Sequence, residues 1–192
     1  MIAIIKYNAG NISSVQNAVI RLGYKSSITD AAEAILNAEK VIFPGVGEAG
    51  SAMKYLRERG LDKTLLQVKN PILGICLGLQ LMCSHSQEGN TKCLGIFDAE
   101  VKKFPPKDKV PHIGWNNFTT LSGALFKNIS PKDDVYYVHS YYAEIGKDTI
   151  ATCDYITPFS AAMQKDNVYA TQFHPEKSAG IGTQLLKNFL TL

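Results

Sequence analysis

Two short runs in this chain carry residue types that do acyl-transfer chemistry. The first is Gly74-Ile75-Cys76-Leu77-Gly78. An apolar run enters it and a helical pattern leaves it, which is the signature of a nucleophile elbow with cysteine in the place of serine. Glycine on each side lets the turn be tight. A cysteine at the start of a helix meets free N–H groups and the positive end of the helix dipole, which favour thiolate over thiol. A thiolate is what attacks an amide carbon. Taken alone, the pentapeptide fits a buried structural cysteine equally well.

The second run is Phe173-His174-Pro175-Glu176, at the end of an extended stretch. Residues i and i+2 of an extended segment point to the same side. His174 and Glu176 can therefore meet, with Pro175 holding the backbone extended between them. A carboxylate on one imidazole nitrogen fixes the tautomer and stabilises the imidazolium, which leaves the other nitrogen to face the sulfur. By itself the run reads more simply as a surface turn. Together the two runs specify a Cys76-His174-Glu176 triad.

A third run, Pro44-Gly45-Val46-Gly47, follows a short apolar strand. Acyl transfer needs N–H donors aimed at the developing oxyanion. Backbone at Gly45 and Val46 could supply one and the N–H of Leu77 another. An ordinary strand-to-helix turn explains the third run as well when it is read alone.

The elements that must position these residues follow from periodicity. Strands are expected over 2–7, 25–29, 41–43 and 71–75. Helices are expected around Val15 to Leu22 after a Ser13 or Ser14 cap, after an Asp30 cap, over two segments between Ala52 and Val68, and over 77–84. Asn8-Ala9-Gly10-Asn11 reads as a turn. This alternation argues for a parallel sheet covered on both faces. The second half reads as short strands at 101–104, 117–121, 135–138, 149–153, 161–164 and 169–173, part of them antiparallel. An amphipathic helix over Ile181, Leu185, Leu186 and Phe189 closes the chain. The reading is a single α/β domain over residues 1–192 with a mixed, mostly parallel sheet flanked by helices.

Composition sets bounds. The chain has 192 residues, 45% of them hydrophobic and 19% charged, as in ordinary globular proteins. A formal charge of +3 is too small to argue for nucleic acid. Lys102, Lys103, Lys107 and Lys109 read as a solvated loop, or as a docking loop. The four cysteines match no zinc pattern and no disulfide framework. Cys83, His85 and Cys93 could be imagined as ligands, but a fourth is wanting, so no metal site is expected. No secretory signal is evident at the N-terminus. The longest apolar run, 71–83, is too short to span a bilayer. Free thiols then point to the cytoplasm.

With these residues in view, the chain resembles the class I, or triad, glutamine amidotransferases. The likeness rests on the Gly-x-Cys-x-Gly-x-Gln run from Gly74 to Gln80, the Pro-Gly-Val-Gly run and the His-Pro-Glu run. Within that family it is most similar to glutaminase subunits of histidine biosynthesis. Gly10-Asn11-Ile12, Pro111-His112-Ile113-Gly114-Trp115-Asn116, Val138-His139-Ser140-Tyr141 and His174-Pro175-Glu176-Lys177-Ser178 carry that closer match.

The resemblance implies a flavodoxin-like fold and hydrolysis of L-glutamine. It implies that Gly47, Gln80, Glu88 and the backbone at Ser140 and Tyr141 hold the substrate. Gln80 lies one helical turn beyond the nucleophile, so it can face the same pocket. The Gly45–Val46 peptide would be an adjustable oxyanion donor. Asn11, Trp115 and Lys177 would lie at a partner interface. The implied partner is a (β/α)8-barrel cyclase that forms a heterodimer and uses the ammonia to make imidazole glycerol phosphate and aminoimidazole carboxamide ribotide. Asn8 departs from the acidic residue that relatives often carry there. With no Walker A loop and no dinucleotide fingerprint, the chain has no evident phosphate site of its own, and no cofactor is expected. Alternatives are a glutaminase subunit for amino-sugar, anthranilate, guanylate or pyridoxal phosphate synthesis, a γ-glutamyl peptidase or cysteine protease of the same fold, and an inactive regulatory subunit.

Overall fold

The structure, a computed structural model, describes residues 1–8 and 10–192. Ala9, within the expected Asn8–Asn11 turn, lies outside the described residues. The first half alternates short apolar strands with helices. In chain order these are β1 (Ile2–Ile5), α1 (Ile12–Arg21), β2 (Ser26–Thr29), α2 (Ala32–Leu36), β3 (Lys40–Gly45), α3 (Ala49–Glu58), α4 (Leu61–Gln67), β4 (Ile72–Cys76) and α5 (Leu77–Met82). The second half is mostly strand: β5 (His85–Ser86), β6 (Thr91–Lys92), β7 (Glu100–Lys103), β8 (His112–Asn116), β9 (Thr120–Leu121), β10 (Val135–His139), β11 (Tyr141–Ala143), β12 (Thr149–Asp154), β13 (Pro158–Lys165) and β14 (Val168–Thr171). Helix α6 (Ala179–Leu190) ends the chain.

Eight strands form the main sheet in the order β2-β1-β3-β4-β14-β13-β12-β9. From β2 to β14 neighbours run parallel, and from β14 to β9 they run antiparallel. Every residue of β1, β3 and β4 is buried, as expected of central parallel strands covered on both sides. Their side chains alternate between two cores. Ala3, Ile5, Val41 and Phe43 pack with Met53, Leu56 and Leu65 of α3 and α4. Ile2, Ile4, Ile42 and Leu73 pack with Val15, Val19, Leu185 and Phe189 of α1 and α6. Two smaller sheets, β10-β8 and β11-β7-β5-β6, stand apart from this frame. Among the described residues no helix is long and apolar enough to cross a membrane.

Several local expectations need correction. A strand expected over 117–121 is a loop with only Thr120–Leu121 in ladder contact, while His112–Asn116 pairs with β10 instead. The misreading has a cause: β8 is only partly buried, with Ile113 and Trp115 exposed, so its apolar residues mark the outer face. The serines do not cap α1; they lie inside it, and Asn11 takes the cap position at φ 68°. Ala31, not Asp30, precedes α2, and Thr29 Oγ1 accepts the Ala31 N–H. The expected extended course through Pro175 is a 3-10 turn over Pro175–Lys177.

Candidate active site

Cys76 closes β4 and begins α5 without an intervening loop. Its φ is 54°, a conformation that L-residues adopt at a cost of about 1–3 kcal/mol and keep only where the surroundings enforce it. The enforcement comes from close backbone packing. A Cβ on Gly78 would sit 2.1 Å from the Phe43 carbonyl oxygen, and one on Gly74 would sit 2.7 Å from Met82 Sδ. Helix α5 therefore lies against β3 and β4 more closely than any side chain would permit. Gly45 pairs with Cys76 across the β3–β4 ladder. The sulfur thus stands at the carboxyl ends of the parallel strands, where ligands gather in open α/β sheets.

The carboxyl end of neighbouring β14 delivers the imidazole. Its backbone is pinned from β10, because the Tyr136 carbonyl accepts the His174 N–H at 2.9 Å. Ser178 Oγ bridges the same elements, donating to the His174 carbonyl at 2.6 Å and accepting the Tyr136 N–H at 2.9 Å. His174 Nδ1 lies 2.8 Å from Glu176 Oε1, with both side chains 1% exposed. The contact arises because the 3-10 turn folds Glu176 back under the ring, not because the strand continues.

Glu176 accepts a second hydrogen bond at Oε1, from Asn11 Nδ2. Its Oε2 is buried without a partner among the described residues. His174 Nε2 likewise meets no partner within ordinary hydrogen-bond limits, yet the sulfur is close enough to dominate its titration. Burial opposes the charged ring, but the neighbouring Cys76 sulfur, and then Glu176, outweigh it and raise the pKa to about 10. The imidazolium is therefore the favoured form at neutral pH.

A cavity of about 320 Å³ opens above the sulfur, lined by Val46, Gly47, Cys76, Leu77, Gln80 and Glu88 on one side. Pro111 and Val138 to Tyr141 form its other wall. The volume suits a small polar ligand. Of the eleven catalytic, oxyanion and substrate residues expected from the sequence, eight line it; Gly45, locked in the ladder behind Cys76, and the buried pair His174 and Glu176 do not.

The lining has a definite polarity. Gln80 Nε2 donates to the Tyr141 carbonyl at 2.9 Å and to Gln172 Oε1 at 3.1 Å, so only its Oε1 remains to accept from a ligand. The Ser140 carbonyl accepts the Phe104 N–H at 3.0 Å. What this corner can offer a ligand is therefore its N–H groups. Glu88 accepts the Ala49 N–H at 2.9 Å, and burial raises its pKa above the usual carboxylate range.

The residues expected at a partner face divide. Trp115 is 55% exposed, as is its neighbour Ile113. Trp115 stands edge-on to Tyr136 at 5.9 Å, and Lys177 Nζ lies 5.9 Å from the same ring. Asn11 differs: its side chain is turned inward onto Glu176.

Three polar residues escaped the sequence reading. Gln172 is fully buried, and its Nε2 lies 3.7 Å from the Cys76 sulfur. His112 and His139 are buried and in mutual contact. The available signal was a glutamine inside an otherwise apolar strand end, and two of the four histidines falling in runs already singled out.

Comparison with known proteins gives a separate line on the family. Residues 3–192 match the family model for "Glutamine amidotransferase class-I". The imidazole glycerol phosphate synthase subunit HisH of Bacteroides fragilis (strain YCH46) is 55% identical over 194 residues, covering 100% of this chain and 99% of that protein. The protein of the same name from Vibrio parahaemolyticus serotype O3:K6 is 45% identical over 199 residues, covering 100% and 98%. In fold, the chain is similar to a solved glutamine amidotransferase (TM-score 0.76, 18% identity, 98% of this chain and 97% of that one). It is also similar to PurLQS from Thermotoga maritima (TM-score 0.73, 16% identity, 99% and 97%). A cysteine at a strained strand–helix junction, a carboxylate-held imidazole beside it and a match from residue 3 to the last residue lead to one conclusion: the chain belongs to the class-I glutamine amidotransferase family.

Proposed function

We propose that this chain is the glutaminase subunit of an imidazole glycerol phosphate synthase, in histidine biosynthesis. The carrying observation is the identity of 43–55% to proteins of that name across the whole chain. The substrate is L-glutamine. The Cys76 thiolate attacks the side-chain amide carbon, and backbone N–H groups at Val46 and Leu77 receive the charge that develops on oxygen. The His174 imidazolium protonates the departing nitrogen, and Glu176 holds the ring in the required orientation. Ammonia leaves, and a glutamyl thioester remains on Cys76. Water deprotonated by His174 then releases glutamate. Gly47, Gln80, Glu88, Ser140 and Tyr141 hold the substrate.

The partner is a (β/α)8-barrel cyclase in a heterodimer, which consumes the ammonia before it escapes to water. Two exposed apolar side chains, Ile113 and Trp115, support docking at β8, and Lys177 flanks the same face. A physical line joins that face to the imidazole: Tyr136 carries Trp115 and Lys177 against its ring while its carbonyl holds the His174 N–H. The setting is the cytoplasm, where thiols stay reduced. Glutamine turnover with and without the cyclase, for the native chain and for Cys76→Ala, tests the reading. Turnover that needs Cys76 and rises with the cyclase is expected; a Cys76→Ala chain that still hydrolyses glutamine would refute it.

A further inference from the structure

Behind the wall of the cavity runs a line of hydrogen bonds between buried polar groups that the mechanism above does not use. It starts at the Tyr141 carbonyl, which His139 Nδ1 approaches to 2.8 Å. His139 Nε2 lies 3.1 Å from His112 Nδ1, and His112 Nε2 lies 3.4 Å from Asn116 Nδ2. Asn116 is fixed in turn, since its Nδ2 donates to the Asp154 carbonyl at 3.0 Å and its Oδ1 accepts the Asn117 N–H at 2.9 Å.

The proton positions along this line are determined by its ends. A carbonyl can only accept, so His139 Nδ1 carries hydrogen. The ring is neutral, because burial holds its pKa down at about 3, so its Nε2 accepts and His112 Nδ1 donates. Burial also holds His112 neutral, at about 4, so its Nε2 accepts from Asn116. Each donor meets an acceptor, with no conflict from Asp154 to Tyr141. His112 is fixed further by stacking between the rings of Tyr155 at 4.0 Å and Tyr137 at 4.9 Å.

At its far end the line acts on the substrate pocket. The Tyr141 carbonyl takes His139 from one side and Gln80 from the other, so its two lone pairs are filled and the peptide plane cannot rotate freely. That plane is the Tyr141–Tyr142 peptide, which joins at the Tyr141 Cα to the Ser140–Tyr141 corner lining the cavity above Cys76.

We propose that His112 and His139 are positioning residues for the amidotransferase reaction, holding the Ser140–Tyr141 backbone so that its N–H groups face the substrate's α-carboxylate. The inference rests on the glutaminase reading above and deepens it. The line separates substrate seating from the sulfur's own reactivity, so its loss raises KM for glutamine more than it lowers kcat.

Substitutions that mimic one ring nitrogen at a time provide the test. An asparagine amide can replace Nδ1 of histidine, and a glutamine amide can replace Nε2. In the full chain complexed with the barrel cyclase, His139→Gln loses the bond to Tyr141 and is expected to raise the KM for glutamine about tenfold or more, with kcat changed about threefold at most. His139→Asn keeps that bond and should restore most of the loss. Alkylation of Cys76 by iodoacetamide, which needs no carboxylate seat, should proceed at the native rate in both. If His139→Gln does not fold, His112→Leu against His112→Asn makes the same comparison one step back along the line. Equal KM for the paired variants, or a fall in kcat alone, would overturn the proposal. A native chain that is alkylated at Cys76 but never hydrolyses glutamine would instead refute the glutaminase reading.

Discussion

His174 Nδ1 lies 2.8 Å from Glu176 Oε1, and both side chains are 1% exposed. Buried this far, the pair cannot exchange its partner for water, so the carboxylate controls the tautomer of the ring and, after Cys76, supports its charge. Glu176→Gln keeps the shape and removes the charge. It should cut kcat for glutamine hydrolysis by a factor on the order of 10²–10⁴ while leaving the thermal transition within a few degrees. Steady-state kinetics beside a melting curve checks both statements.

Helix α6 contains two glycines with opposite roles. A Cβ on Gly182 would lie 1.9 Å from the Pro175 carbonyl oxygen, whereas one on Gly180 meets nothing within 4 Å. Gly182→Ala should therefore cost about 1–3 kcal/mol and displace the turn carrying Glu176. Gly180→Ala should gain about 0.4–1 kcal/mol by restricting the unfolded chain. Urea midpoints would move in opposite directions; a shared sign would contradict this packing.

Stability should fall on both sides of neutrality for different reasons. His112 and His139 have folded pKa values of about 4 and about 3, below the ordinary 6.5. In that window the unfolded chain binds protons that the folded chain refuses. Their contribution is complete above pH 6.5 and is lost below it, at up to about 1.4 kcal/mol per pH unit for each ring. His174 behaves oppositely. Its pKa is raised to about 10, so its contribution is complete below pH 6.5 and disappears as pH climbs towards 10. Denaturant unfolding from pH 4 to 10 should trace a dome, and Cys76→Ala should flatten the alkaline side alone.

The exposed Ile113 and Trp115 give the proposed docking face a direct test. Burying a charge there without a partner is costly, so Trp115→Glu should weaken binding of the cyclase by tenfold or more, with the unstimulated glutaminase rate unchanged. Titration calorimetry and turnover measured with and without the cyclase would reveal it. Retained affinity would move the interface elsewhere.

The sequence by itself determined the alternating strands and helices of the first half, because buried parallel strands and amphipathic helices leave strong local periodicity. It also determined the elbow, since only glycine fits where α5 meets the Phe43 carbonyl, and it marked Cys76, His174 and Glu176 by residue type. What it could not contain was set by contacts between distant segments. The 3-10 turn under His174 depends on Ser178 reaching Tyr136. Asn11 turns onto Glu176, although locally it reads only as the end of a turn. The strand at His112–Asn116 exists because β10 pairs with it, and its exposed apolar residues disguise it locally. The histidine line joins three segments that are remote in the chain, and hydrogen bonds between such segments leave no periodic trace, so only the tertiary structure could decide them.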